Sequence, residues 1–142
     1  MTSALLLVGR IIFAFFFIYS GFNHLTKVGM MAQYTASMGV PAPTLAVVVT
    51  GIMLLVGGLC ILLGWRVKLG ALLLVAFLVP VSFFMHRFWG LADPMMAQNQ
   101  AGHFFKNITL AGAALMIFAL ADLYPARWPY SVAGRGSAAP TV

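Results

Sequence analysis

The sequence predicts an all-α, polytopic membrane protein: a four-transmembrane-helix bundle with a short interfacial helix in the first loop. Of its 142 residues, 63% are hydrophobic and only 7% are charged, and the mean hydropathy is +1.02. A water-soluble domain needs a more polar surface than these residues can form. Four apolar runs also reach the roughly 20 residues that a helix needs to cross a bilayer. The lipid bilayer is therefore the expected surrounding of most of the chain.

The predicted spans are separated by residues that end helices or prefer water. The spans cover residues 4–22, 44–63, 69–85 and 104–123. After the first span, residues 28–38 suit a short helix, which Gly39 and the prolines Pro41 and Pro43 bring to an end. We expect this short helix to lie at the membrane interface.

The remaining connections complete one membrane domain over residues 1–125. A tight hinge at 64–68 joins the second and third spans, and a polar, partly structured loop at 86–102 precedes the fourth. The tail at 126–142 is rich in Pro, Gly, Ser and Ala and is predicted to be disordered.

The basic residues predict an orientation and argue against nucleic acid as a partner. The formal net charge is +6, but the eight Lys and Arg residues lie singly and form no patch. An even number of spans places both termini and the hinge on one face. That face carries Arg66, Lys68, Arg127 and Arg135, against Lys27, Arg87 and Lys106 on the other. Positive-inside reasoning makes the termini cytoplasmic.

Few residues are available for catalysis. Cys60 is the only cysteine, which excludes an internal disulfide and a CxxC redox pair. The two acids, Asp93 and Asp122, lie far apart in the sequence, and no nucleophile accompanied by a base is visible. Catalysis by this chain alone is therefore not supported, and its catalytic residues, if it has any, stay unknown.

A group of polar residues opens the fourth span. His103, Lys106 and Asn107 are spaced i, i+3 and i+4, so they share one face of a helix. Polar and charged side chains are costly in lipid, and within a span they indicate a functional site by default.

Histidines lie at the outer ends of three spans: His24, His86 and His103. Together with Lys106 and Asn107 they predict a pocket for a quinone or another small amphiphile, in which the polar groups donate to a carbonyl oxygen. Its predicted apolar walls are Phe83, Phe84, Phe104 and Phe105.

Two other interpretations of the histidines compete with the ligand pocket. Imidazole is a common ligand of metals and haem, but no two of these histidines share a helix at ligand spacing, so we assign no metal and disfavour haem. The same residues could instead mark where the helices meet the lipid headgroups and cap one another. The sequence leaves this structural interpretation open beside the ligand pocket.

A structural ion pair is predicted near the cytoplasmic face. Arg10 lies inside the first span, and Asp122, at the end of the fourth, is the acid on the same side of the membrane. Pairing the two would join the first and fourth spans, although Arg10 could also extend towards the surface by itself.

Several short motifs resemble one family when taken together. They are Gly9-Arg10, Ser20-Gly21, the segment from Gly39 to Pro43, Gly57-Gly58, and the segment from His103 to Asn107. In this order and spacing, over about residues 8–121, they resemble the DoxX family of small bacterial membrane proteins. The family's recurrent polar positions fall on Arg10, His86, His103, Lys106 and Asn107. Many members carry a glutamate before the paired glycines, whereas this chain has Leu54 and Leu55, which argues against a proton relay there.

The resemblance implies a four-helix protein of the bacterial cytoplasmic (inner) membrane, linked to quinol oxidation and to thiol and oxidative-stress defence. We therefore expect a membrane component of a redox or quinone-linked system, at most a quinone-interacting subunit of an oxidoreductase. Its expected partners are a quinone or soluble oxidoreductases, and a homo-oligomer is compatible with the sequence. The alternative is a noncatalytic membrane scaffold or a small-solute transport protein.

Overall fold

The structure is a computed structural model that describes residues 2–123 and 131–132. This part of the chain forms five α-helices and no strands. They are α1 (Thr2–Thr26), α2 (Val28–Ser37), α3 (Pro43–Leu63), α4 (Val67–Met85) and α5 (Pro94–Leu123). Helices α1, α3, α4 and α5 are long and apolar enough to cross a membrane, which confirms the predicted fold class. Of the predicted tail at 126–142, only residues 131–132 lie within the described part.

Each long helix packs on the next long helix along the chain. Helix α1 packs on α3, α3 on α4, and α4 on α5, while α2 lies mainly against α3. The core contains Phe17, Leu54, Ile61, Leu74 and Leu78, each at most 1% exposed. Many other large apolar side chains point outwards, as expected for a surface that faces lipid.

Glycines allow the backbones of neighbouring helices to approach closely. A Cβ atom on Gly58 of α3 would lie 3.2 Å from the carbonyl oxygen of Ala14 in α1. A Cβ atom on Gly70 of α4 would lie 2.8 Å from the carbonyl oxygen of Gly57 in α3. Small residues at such crossings are the usual means by which membrane helices pack, because lipid supplies no hydrophobic driving force between them.

Helix α5 begins ten residues before the predicted span, at Pro94 instead of residue 104. Asp93 caps it, because its Oδ1 accepts hydrogen bonds from the backbone N–H groups of Met95 at 2.8 Å and Met96 at 3.3 Å. An aspartate cap followed by proline at the first helical position is a strong start signal. The polar loop is therefore partly helical, and His103 lies well inside α5 rather than at its beginning.

The structure gives Arg10 and Asp122 different partners from those predicted. Arg10 is 3% exposed, and its Nε donates to the carbonyl oxygen of Ile61 at 2.9 Å while Nη2 donates to that of Leu62. These carbonyls belong to the last turn of α3, where the helix itself supplies too few donors. The carboxylate of Asp122 forms an ion pair with Lys68 at the start of α4. Arg10 thus joins α1 to α3, and Asp122 joins α5 to α4.

Candidate functional site

A cavity of about 230 Å³ lies in the end of the bundle opposite Arg10. We call it the histidine cavity. Its polar lining residues are Ser20, His24, Tyr34, Thr35, His86, Lys106 and Asn107, and its apolar ones are Phe16, Met31, Val47, Phe77, Leu78, Val81 and Met85. All five helices contribute to it. Most of its wall is apolar and a few polar groups converge on it, which is the general form of a small-molecule site.

The polar residues singled out in the sequence come together here. His24, His86, Lys106 and Asn107 all line the histidine cavity. His103 lies beside it, with its ring stacked on that of His86 at a centroid distance of 5.0 Å. The fold therefore joins residues from the ends of α1 and α4 to one face of α5.

Hydrogen bonds determine which ring nitrogens carry protons. The Nδ1 atom of His24 lies 2.8 Å from the carbonyl oxygen of Ser20, and that of His86 lies 2.9 Å from Oε1 of Gln100. Both Nδ1 atoms must donate, because these oxygens only accept, so a neutral ring keeps Nε2 as an acceptor. His103 is the opposite case: its Nδ1 accepts from Nζ of Lys106 at 3.3 Å, which leaves N–H on Nε2.

Two side chains that line the histidine cavity are buried and have no hydrogen bond to the described part of the chain. Asn107 is 6% exposed and Thr35 is 8% exposed. Within the described part of the chain, neither the Asn107 amide nor the Thr35 hydroxyl has a hydrogen-bond partner. Leaving such a group unsatisfied costs about 1–3 kcal/mol, so each needs an explanation, and a bound ligand is one.

The exposed ammonium group of Lys106 contacts residues of both α1 and α5. Its Nζ lies 5.7 Å from the centroid of the Phe16 ring, within range of a cation–π contact. Its ammonium group is thus positioned by Phe16 on one side and His103 on the other. A carbonyl oxygen in the histidine cavity could accept from this ammonium and from the amide of Asn107.

The described residues include no group of three His, Cys, Asp or Glu side chains placed to hold a metal ion. His86 and His103 contact one another through their ring faces, with an interplanar angle of 24°. That arrangement does not direct two nitrogens at one point. The geometry of this part of the chain suits an organic oxygen better than a metal.

The aromatic walls differ from those predicted. Phe83 and Phe104 form an edge contact at 5.3 Å and belong to a cluster with Phe88, Trp89 and Phe105 outside the histidine cavity. Of the four predicted phenylalanines, Phe84 lines an adjoining cavity. The phenylalanine rings that line the histidine cavity are Phe16 and Phe77, which come from span interiors.

Sequence reasoning also missed the contribution of α2. Tyr34 and Thr35 line the histidine cavity from this short helix, and Ser20 does so from α1. Thr35 lies in a helix that the sequence places at the membrane interface. A threonine there does not by its residue type indicate a buried site. Only the packing of α2 on α3 places it at the site.

Comparisons with known proteins agree with this architecture. The sequence model of the DoxX family matches residues 5–87, which include α1 to α4 with His24 and His86 but not the polar face of α5. The chain is 30% identical to the inner membrane protein YphA of Escherichia coli over 113 residues, 80% of each chain. It is 31% identical to the inner membrane protein YqjF of E. coli over 112 residues, 78% of this chain and 79% of the relative. No solved structure matches the chain significantly. On these matches and its four membrane-spanning helices, the chain belongs to the DoxX family.

Proposed function

We propose that this protein is a membrane component of a redox or quinone-linked system and that it binds the head of a quinone in the histidine cavity. The observation that carries the proposal is the buried Asn107 amide, which lines the cavity beside Lys106 and has no partner among the described residues. A quinone oxygen would accept from both groups. The flat ring would lie between the apolar side chains of α1 and α4.

The available acid–base groups support a binding role. Asp93 caps α5 and Asp122 pairs with Lys68, so both acids have structural partners away from the histidine cavity. Proton transfer to or from a bound quinone would therefore run through the histidines and Lys106. We infer a quinone-interacting subunit that works with other oxidoreductases of the membrane or the adjacent compartment, rather than a complete enzyme.

Co-purification tests this proposal. We expect the protein, purified in detergent and extracted with organic solvent, to release a quinone detectable by mass spectrometry. The Lys106→Ala variant should release severalfold less, because one of the donors to the oxygen is gone. Lys27→Ala, an exposed lysine that does not line the cavity, is the matched control and should retain the quinone.

One observation favours a noncatalytic scaffold instead. The bond from His86 to Gln100 ties the end of α4 to α5, which is what a purely structural histidine would do. Absence of any quinone from the wild-type extract, or equal amounts in wild type and Lys106→Ala, would support that scaffold. A Soret band in the absorption spectrum would point to haem.

We further propose that the protein resides in the inner membrane with its termini in the cytoplasm and the histidine cavity in the outer half of the bilayer. The inner membrane relatives and the charge distribution support this. In a Cys60→Ala background, a cysteine at Ala92 should react with a membrane-impermeant maleimide added to intact cells, and one at Trp65 should not. The reverse pattern would place the cavity on the cytoplasmic side.

A further inference from the structure

A second cavity, of about 270 Å³, adjoins the histidine cavity. We call it the tail cavity. It shares with the histidine cavity the lining residues His24, Thr35, Val47, Phe77, Val81 and Met85. Each cavity alone is below the roughly 300–1,000 Å³ of typical ligand sites. Because they share one wall, they can act as the two compartments of a single site.

The two compartments differ in polarity. The histidine cavity contains Lys106 and Asn107. The side chains that line only the tail cavity are Val40, Ala46, Thr50, Ala76, Pro80 and Phe84. None of these is charged, and the hydroxyl of Thr50, the polar one, already donates to the carbonyl oxygen of Ala46 at 2.7 Å. A ligand that fills both compartments must therefore be polar at one end and apolar at the other.

Thr35 lies where the compartments meet, since it lines both of them, and its hydroxyl has no hydrogen-bond partner among the described residues. Thr35 comes from α2 whereas Lys106 and Asn107 come from α5, so its hydroxyl can donate to a second oxygen on the ligand head. A ring with carbonyl oxygens on opposite sides would satisfy both buried groups. The chain would then leave the ring towards the tail cavity.

The tail cavity is open at the side of the bundle. Ala76 and Pro80 are exposed on α4, and Phe84 is 53% exposed. Since α4 spans the membrane, this side faces lipid. A hydrocarbon tail can therefore continue from the cavity into the bilayer without crossing a polar surface.

We propose that the ligand is a membrane-dissolved amphiphile whose head occupies the histidine cavity and whose hydrocarbon tail leaves through the tail cavity, past Ala76 and Pro80, into the lipid. The chemical nature of the head rests on the quinone site proposed above. What is new is the position of the tail and its lateral route into the lipid. The route has a competitor in a seam of about 410 Å³ between α1 and α5, which is lined by Phe13 and Met116 and reaches Arg10 towards the other end of the bundle.

Two photoreactive probes test the route in the purified full chain. One is a tailless benzoquinone with an azide on the ring, and the other is a decyl benzoquinone with a diazirine at the tail end. We expect the ring probe to label residues of the histidine cavity and the tail probe to label α3 and α4 around Ala46 and Ala76, mapped by mass spectrometry. Ala76→Phe should reduce tail labelling there about tenfold, because the added ring would occupy the space through which the tail leaves.

The variants separate the possible outcomes. Ala46→Phe narrows the same channel from α3, and Ala119→Phe, exposed on α5, is the control that should change neither probe. Ring labelling of the histidine cavity with tail labelling along the α1–α5 seam would overturn the inference and leave the proposed function standing. Failure of the ring probe to label the histidine cavity would overturn the proposed function as well.

Discussion

Replacing Asn107 with leucine is expected to abolish most quinone binding without weakening the fold. Because the amide is 6% exposed and lacks a hydrogen-bond partner within the described residues, its burial is a cost that leucine does not carry. We expect the free energy of unfolding to stay unchanged or to rise by up to about 2 kcal/mol. Binding should weaken by roughly ten- to a hundredfold, because a buried ligand oxygen would lose its donor at about 1–3 kcal/mol.

Unfolding in mixed micelles and quinone titration measure the two effects separately. Thr109→Leu is the matched control, since Thr109 is exposed on the same helix and does not line the histidine cavity. It should leave both quantities unchanged. If Asn107→Leu instead destabilised the protein by several kcal/mol while binding persisted, the amide would have a structural role and the proposed contact would be wrong.

The second large effect is a loss of stability that we expect from substituting Arg10, at the opposite end of the bundle. Arg10→Leu removes the donors to the carbonyl oxygens of Ile61 and Leu62 at the end of α3. Hydrogen bonds that involve a charged group contribute about 1.5–3 kcal/mol each to stability. The free energy of unfolding, measured in mixed micelles, should therefore fall by much more than it does for an ordinary surface substitution. Arg10→Lys should restore only part of it, because a single ammonium cannot reproduce the planar fork of a guanidinium.

The companion substitution Asp122→Asn should lower the free energy of unfolding only slightly. Its ion pair with Lys68 joins side chains that are 44% and 63% exposed, and such pairs contribute about 0–1 kcal/mol. The double variant Arg10→Leu, Asp122→Asn should therefore be as unstable as the sum of the two single variants. Recovery of stability in the double variant would instead support the direct pairing of Arg10 with Asp122 that the sequence suggested.

Local sequence features predicted the helices well and their ends less well. Apolar runs of about 20 residues identify spans because lipid leaves a backbone no partner but itself. Helix α5 was predicted to start at residue 104 because the residues before it are polar, yet the Asp93 cap and Pro94 begin the helix earlier. The capping signal of Asp93 and Pro94 is present in the sequence, but the polarity of the residues that follow favours a later start of the span.

The site could be predicted in part. His24, His86, Lys106 and Asn107 attracted notice because polar side chains are costly near lipid, and all four line one cavity. The walls Phe16 and Phe77 could not be told from other aromatic residues in the spans. The charge of Arg10 stands out in the sequence, but among the described residues it donates to the backbone carbonyls of Ile61 and Leu62, and no sequence pattern distinguishes such acceptors.

The sequence by itself determined the environment, the number of spans and the polar residues that gather at one end, because transfer into lipid depends on residue type and run length. Only the tertiary structure decided that α1 packs on α3, that α2 brings Thr35 to the site, and that a polar and an apolar cavity share a wall. These features depend on distances between residues far apart in the chain. Close backbone approaches such as that of Gly70 to Gly57 set those distances.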